Sequence, residues 1–395
     1  MNIGVAGFGI AGGAAAYLLA KQGHSVTIFE QSPSIGPVGA GILLQPSGQF
    51  VLHRLGLLDS VIKHAEPIDE IHALKQNGAT LVRLRYADMG AGGRAHGVHR
   101  GVLFDTIRTA LTPFNPTVRL GCQIVGSRMA GTGVVAIDSR GEEYEPFDFL
   151  IAADGSRSAL RGASSLVRSD REYDYGALWA VGRCCSVHGR LHQVVHGTRH
   201  LLGLLPMGDD QCTLFWSVPV NDLDALRSRG IASWREDVLA LCPLAEELLA
   251  SVASFDQTTL TTYRHVSMRR WNEDRVVFLG DAAHAMSPHL GQGVNLALMD
   301  AEAFANAIAA TSNFQRAAER YETLRRPHVN YYAAVTRLLS PFFQHRGWLL
   351  GAGRDIAIPA MVRVPPVRRT MARTMAGVKT GWVNGALTDR LPPPP

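Results

Sequence analysis

Near its start the chain reads Ile3-Gly4-Val5-Ala6-Gly7-Phe8-Gly9-Ile10-Ala11-Gly12. Ile3 to Ala6 is a short apolar strand. The alanine-rich stretch Gly13 to Lys21 has the composition of a helix, and Gly23 stops it, with His24 and Ser25 in the turn. Val26-Thr27-Ile28-Phe29 is a second strand, which ends at Glu30-Gln31. Strand, glycine-rich turn, helix, strand and acid make a unit suited to a dinucleotide. Gly7 permits the tight turn, Gly9 lets the backbone approach a pyrophosphate, and Gly12 lets the helix pack on the strand. N–H groups at the helix start, at Ile10 and Ala11, hold the diphosphate with the helix dipole. Glu30 accepts hydrogen bonds from ribose hydroxyls. The motif by itself does not separate NAD from FAD.

Composition limits the rest. The 395 residues are 46% hydrophobic and 18% charged, which excludes a disordered chain and suggests two or three domain-sized units. Five cysteines (Cys122, Cys184, Cys185, Cys212 and Cys242) form no C-x-x-C pair, so neither a disulfide framework nor a redox dithiol is expected. No Cys/His spacing resembles a metal site. The reading is a reduced, cytoplasmic protein with no membrane span. The net charge is +5, concentrated between Val335 and Gly381. There Arg337, Arg346, Arg354, Arg363, Arg368, Arg369, Arg373 and Lys379 face Asp355 alone. So local a surplus is no nucleic-acid footprint.

Two more stretches repeat the strand-then-motif grammar. Phe147 to Ala153 is an apolar strand ending in Asp154-Gly155-Ser156-Arg157-Ser158. Arg275 to Leu279 is another, ending in Gly280-Asp281-Ala282-Ala283-His284, then Ser287-Pro288-His289-Leu290-Gly291-Gln292-Gly293-Val294-Asn295 and a long helix. Taken singly, Asp154-Gly155 is an ordinary turn, Asp281 a helix N-cap, and Gly291 and Gly293 a flexible loop. Their joint order removes those readings.

That order resembles the para-hydroxybenzoate hydroxylase family, the group A FAD-dependent monooxygenases, over about residues 1 to 330. Gly203-Leu204-Leu205-Pro206 and Phe215-Trp216-Ser217 are most similar to the ubiquinone-biosynthesis hydroxylases of that family. The resemblance implies FAD as cofactor. It places Asp281 on the ribityl chain, Asp154 near the diphosphate and the NAD(P)H approach, and Arg100 at the ribityl or phosphate region. Ile124 and Val125 would meet the adenine. Gly291, Gly293, Val294 and Asn295 would open a helix beneath the isoalloxazine, where N–H groups stabilise charge on the reduced ring. Pro288 and His289 would face its reactive edge as the catalytic positions.

The expected fold is α/β: a discontinuous Rossmann-like FAD-binding domain (residues 1–70, 93–175 and 265–330), an antiparallel-sheet substrate domain (71–92 and 176–264) and a C-terminal helical region (331–395). Turns are expected at His196-Gly197 and Gly208-Asp209-Asp210. His196, Arg199, His200 and Trp216 are the substrate-contact candidates, each with a turn or core role as its alternative. Val364, Val367, Met371 and Met375, interleaved with Arg368, Arg369 and Arg373, mark an amphipathic basic helix. It either lies on an anionic membrane surface or packs on the FAD domain with its arginines in water.

The implied activity is an NADH- or NADPH-consuming monooxygenase. It would insert one oxygen of O2 into an aromatic or other electron-rich, lipophilic small molecule through a C4a-hydroperoxyflavin. The alternatives are another FAD-dependent tailoring enzyme (halogenase, reductase or cyclase) and a non-catalytic flavin-binding protein. No W-x-W-x-I-P stretch of the halogenase kind is present.

Overall fold

The computed structural model describes residues 1–36, 39–89, 93–311, 313–344, 347–382, 385 and 387, so Arg346 lies outside the described residues. One sheet has six strands, in the order Asn272–Glu273, Val276–Phe278, Phe149–Ala152, Asn2–Ala6, Ser25–Glu30 and Thr117–Leu120. All neighbours are parallel except the first pair. Ile3, Val5, Ile28, Leu150, Ile151 and Val277 are fully buried, because both faces of the sheet are covered. Helix α1 (Ile10–Lys21) starts three residues earlier than the alanine run suggests, since extended Gly9 serves as its N-cap. Its alanines let it pack closely between this sheet and the helix Gly293–Thr311.

The second sheet has seven strands: Thr259–Met268, Val167–Arg183, Gln211–Pro219, His200–Gly208, Arg190–His196, Glu70–Lys75 and Thr80–Arg85. It is not wholly antiparallel. Arg190–His196 runs parallel to Glu70–Lys75, because the earlier hairpin joins the sheet edge without a tight turn to fix its direction. Gly197, Asp209 and Asp210 take positive φ at the two expected turns. Helix α2 (Gly230–Leu241) covers one face of this sheet. Its Trp234 and Val238 are fully buried in a cluster with Leu202, Leu204, Leu214 and Trp216. The other face meets a small sheet of Gly41–Leu44, Ala95–His99 and Ala65–Ile68. A Cβ on Gly97 would lie 1.9 Å from Pro206 O, so the contact there is backbone against backbone.

Among the described residues four helices follow: α3 (Gly293–Thr311), α4 (Phe314–Phe343), α5 (Trp348–Arg363) and α6 (Pro365–Met375). Neither expected border at 175/176 nor that at 330/331 is a break, for Val167–Arg183 and α4 run through them. The amphipathic α6 forms and packs on the turn Tyr86–Met89, with Arg369 exposed and Arg368 and Arg373 half-buried. Arg369 and Arg373 each donate from Nε to Met89 O at 3.3 Å, and Arg368 Nε lies 3.2 Å from Asp88 Oδ1. Part of its basic face is thus turned onto the turn Tyr86–Met89. Among the described residues no helix is long and apolar enough to cross a membrane.

Candidate active site

The three motif loops meet at the ends of the central strands. A Cβ on Gly7 would sit 2.5 Å from Ala153 O and 2.9 Å from Asp154 Cα. A Cβ on Gly280 would reach Ala11 Cβ at 3.2 Å, and one on Gly293 lies 3.9 Å from Asp281 Oδ1. Gly7 and Gly280 also have φ of +99° and +59°, which other residues rarely adopt. Gly12 is needed because its Cβ would fall 1.9 Å from Gly7 O. Gly9 is different: a Cβ there would meet nothing within 4 Å. Internal packing does not demand that glycine, so its reason lies in what approaches from outside.

Glu30 is held in place by the fingerprint loop. Its Oε2 accepts from Phe8 N at 2.8 Å and its Oε1 from Ser32 N at 2.9 Å. Gln31 is exposed beside it. Cys122 N donates to Glu30 O at 2.9 Å, which brings Ile124, buried, and Val125, half-buried, to the same end of the sheet.

Asp154 caps the short helix Ala159–Gly162 through Oδ2, which accepts from Ala159 N at 2.9 Å. Its Oδ1 is buried without a partner, and burial pushes the carboxyl up. Asp281 opens onto the cleft but is otherwise enclosed. That enclosure raises its carboxyl, moderated by the positive field of His284, Arg100 and Arg161. Arg100 begins the helix Arg100–Leu111, and its Cδ would lie 3.1 Å from a Cβ on Gly39.

Two buried networks, missed in the sequence, fix these loops. Arg161, 1% exposed, donates to Ser156 O at 2.6 Å and Ala282 O at 3.1 Å, so it ties the Asp154 loop to the Asp281 loop. Asp170 Oδ2 balances it at 2.8 Å. Asp300 accepts from His284 Nε2 at 2.6 Å, Gly280 N at 3.1 Å and Arg325 Nε at 2.8 Å. Arg325 continues to His328 Nδ1 at 2.6 Å, and His328 Nε2 lies 3.1 Å from Gly377 O. Burial alone would raise the Asp300 carboxyl, but the charges of His284 and Arg325 outweigh it and hold it at about 2. His284 is therefore a brace.

Helix α3 starts at Gly293, two residues later than expected, because Pro288–Leu290 form a 3-10 turn and Gly291 takes φ of +59°. Leu296 N is the first amide to bond back, to Gln292 O at 2.9 Å. The N–H groups of Gly293, Val294 and Asn295 thus have no helical acceptor. The Asn295 side chain is a brace: it donates to Gly291 O at 2.9 Å and Leu43 O at 3.2 Å and accepts from Gln45 N at 2.9 Å. Only its backbone is left for a ligand. Gln45, also missed, is fully buried, and its Nε2 has no partner while its Oε1 accepts from Tyr86 OH at 2.7 Å. That free donor lies beside Gly291.

His289 Nδ1 is 2.5 Å from Ser287 Oγ, and its Nε2 is buried without a partner. Burial lowers the imidazole to about 4, so the ring is neutral at pH 7. Phe343 lies 5.9 Å away, and Pro288 is exposed next to it. The inner sheet face carries Trp179 and Phe215, 5.4 Å apart. The four expected substrate contacts are not there. Trp216 packs 5.2 Å from His200 in the cluster beneath α2, on the opposite face. His196 and Arg199 are exposed at a hairpin tip. Strand alternation puts Leu202, Leu204 and His200 on one side and Leu201, Gly203 and Leu205 on the other.

Gly9's open side, the free N–H groups of α3, the orphaned Gln45 Nε2 and the fixed Glu30 carboxylate fit FAD. The chain belongs to the FAD binding domain family, which matches residues 1–336. It is an FAD-dependent monooxygenase of the para-hydroxybenzoate hydroxylase kind, with FAD as its cofactor. A probable 2-heptyl-3-hydroxy-4(1H)-quinolone synthase of Rhodococcus erythropolis is 29% identical over 342 residues, 83% of this chain and 85% of that protein. A 3-hydroxybenzoate 6-hydroxylase of Klebsiella oxytoca is 26% identical over 378 residues, 87% and 89% of the two chains. Klebsiella pneumoniae HpxO, solved with FAD and uric acid, shares the fold with a TM-score of 0.81 at 22% identity, over 95% of this chain and 97% of that one.

Proposed function

We propose that the protein hydroxylates an uncharged aromatic or similarly electron-rich, lipophilic small molecule, using O2 and NADH or NADPH. One observation carries this reading: the neutral His289, with Nε2 free, stands at the head of the Gly291–Asn295 loop against Phe343. Bound FAD supplies electron transfer from the nicotinamide and activation of oxygen. The protein does the rest. Gly9, Ile10 and Ala11 receive the diphosphate, with Asp154 behind them. Glu30 and Gln31 take the ribose, Ile124 and Val125 the adenine, and Asp281 and Arg100 the ribityl chain. Gly291, Gly293, Val294 and Asn295 offer backbone N–H groups to negative charge on the ring. Pro288 and His289 face the substrate, and His289 Nε2 orients a ring hydroxyl or carbonyl by one hydrogen bond. Trp179 and Phe215 stack on an aromatic ring and exclude water.

We further propose a division by function, with residues 1–70, 93–175 and 265–330 for the flavin, 71–92 with 176–264 for the substrate and 331–395 as an added helical region, although Val167–Arg183 and α4 run unbroken across two of these borders. Peripheral membrane contact through the basic C-terminal region belongs to the proposal as well. The test is to screen phenolic and quinolone-like compounds for faster NAD(P)H oxidation and to weigh the product. A product heavier by one oxygen, labelled from 18O2, supports the reading. Accelerated oxidation that yields only hydrogen peroxide with every compound refutes it.

A further inference from the structure

Helix α5 has one face that no described part of the chain covers. Toward the protein it turns Gly351, Arg354 and Ile358. A Cβ on Gly351 would lie 3.0 Å from Thr198, and Arg354 Nη1 donates to Gly197 O and Phe342 O, both at 2.9 Å. Ile358 packs on the cluster of Leu81, Val195 and Leu201. At about 100° per residue, the opposite face carries Leu349, Ala352, Gly353, Ile356 and Ala360, with Arg363 at its end. All are exposed, Leu349 by 69% and Ile356 by 76%. Met361 and Val364, also exposed, widen the patch where α5 meets α6. The row is about 21 Å long. It holds no acid, since Asp355 pairs with Arg354 at 2.7 Å on another side. Single exposed leucines are ordinary, whereas a continuous apolar row on one helix marks a contact surface.

We propose that this face of α5 seats the protein on an anionic phospholipid bilayer, with Leu349 and Ile356 at the acyl boundary and Arg363 among the headgroups. Charge selects this occupant over a second copy of the chain. Among the described residues of α4 to α6, Arg354 and Arg368 pair with Asp355 and Asp88, while Arg337, Arg363, Arg369 and Arg373 pair with no acid, so two copies docked by this face would bring like surpluses together. An anionic bilayer neutralises them instead. The long stem of Arg363 lets its guanidinium reach the headgroups while its methylenes stay with the apolar row. The inference needs no substrate and stands apart from the hydroxylation reading.

The test is co-sedimentation of the flavin-loaded full chain with vesicles of phosphatidylglycerol and phosphatidylcholine in equal parts, and with phosphatidylcholine alone. Wild type should pellet with the anionic vesicles at low salt and much less at high salt or with the neutral ones. Leu349→Glu and Ile356→Glu should each weaken partition about tenfold, with flavin content and NAD(P)H oxidation in solution unchanged. Arg363→Glu, which leaves the apolar row intact, should weaken it only on anionic vesicles. Failure of wild type to pellet at low salt overturns the proposal, as does equal pelleting of the Leu349→Glu/Ile356→Glu variant. A dimer in light scattering that this variant converts to monomer, without vesicle binding by wild type, assigns the face to a second copy and overturns it too.

Discussion

Asp300→Asn tests the buried network most sharply. The substitution keeps the shape of the side chain and removes its charge. Arg325 is 3% exposed, and Asp300 Oδ1 at 2.8 Å is its counter-charge. Its other partner, His328, is held neutral by burial, which lowers the ring to about 3. The variant therefore leaves a buried guanidinium uncompensated, at a cost of about 3–5 kcal/mol. For a chain of this length the unfolding entropy is about 0.8 kcal/mol/K, so the melting temperature should fall by about 5 °C. Gly280 N also loses an ionised acceptor at 3.1 Å, which loosens the loop that carries Asp281 and should weaken FAD binding about tenfold. Removing both charges with Asp300→Asn/Arg325→Met should recover most of the melting temperature, because a neutral pair carries no desolvation debt. Scanning calorimetry of apo and FAD-loaded protein reads both effects. A single variant within about 1 °C of wild type, or a double variant no better than the single one, would refute the reasoning.

Burial lowers His192 to about 4 and His328 to about 3. Their folded pKa values lie below the unfolded one, so the unfolded chain binds more protons below pH 6.5 and stability falls with pH from there to about pH 4. The slope is at most about 1.4 kcal/mol per pH unit for each; urea midpoints that agree at pH 7 and pH 5 would contradict it. Phe215→Ala, on the inner sheet face, should raise KM about tenfold. Trp216→Phe, beneath α2, should leave KM within about twofold while lowering stability by about 1–3 kcal/mol. Equal KM effects from the two would contradict the assignment of faces.

Much of the flavin half was legible because its signals are local. Gly7, Gly12 and Gly280 are required by a backbone contact or a positive φ, and such needs show directly as glycine in the sequence. The two networks were not legible: Arg161 joins Ala282 from 121 positions away, and Arg325 reaches Asp300 from the next helix. Polar pairs of this kind leave no periodic trace. His200 and Trp216 misled for another reason. His200–Gly208 is buried on both faces over Leu201 to Met207, so alternation could not tell the side facing the site from the side under α2. The C-terminal helix was visible in its three-and-four spacing, but its partners, Asp88 and Met89, were not, because nothing in α6 encodes them.

Everything about the site depends on FAD lying against the Gly7–Gly12 turn, and Gly9 gives the cleanest way to measure that. A Cβ at Gly9 meets nothing within 4 Å, and its φ of −86° suits other residues. Gly9→Val should therefore leave the melting temperature of the apoprotein unchanged while occupying the approach of the diphosphate. Titrated with FAD under flavin fluorescence, wild type should bind at micromolar or tighter concentrations and Gly9→Val at least about a hundredfold more weakly. Wild-type apoprotein that ignores micromolar FAD, or a Gly9→Val protein that binds it equally well, would contradict the account.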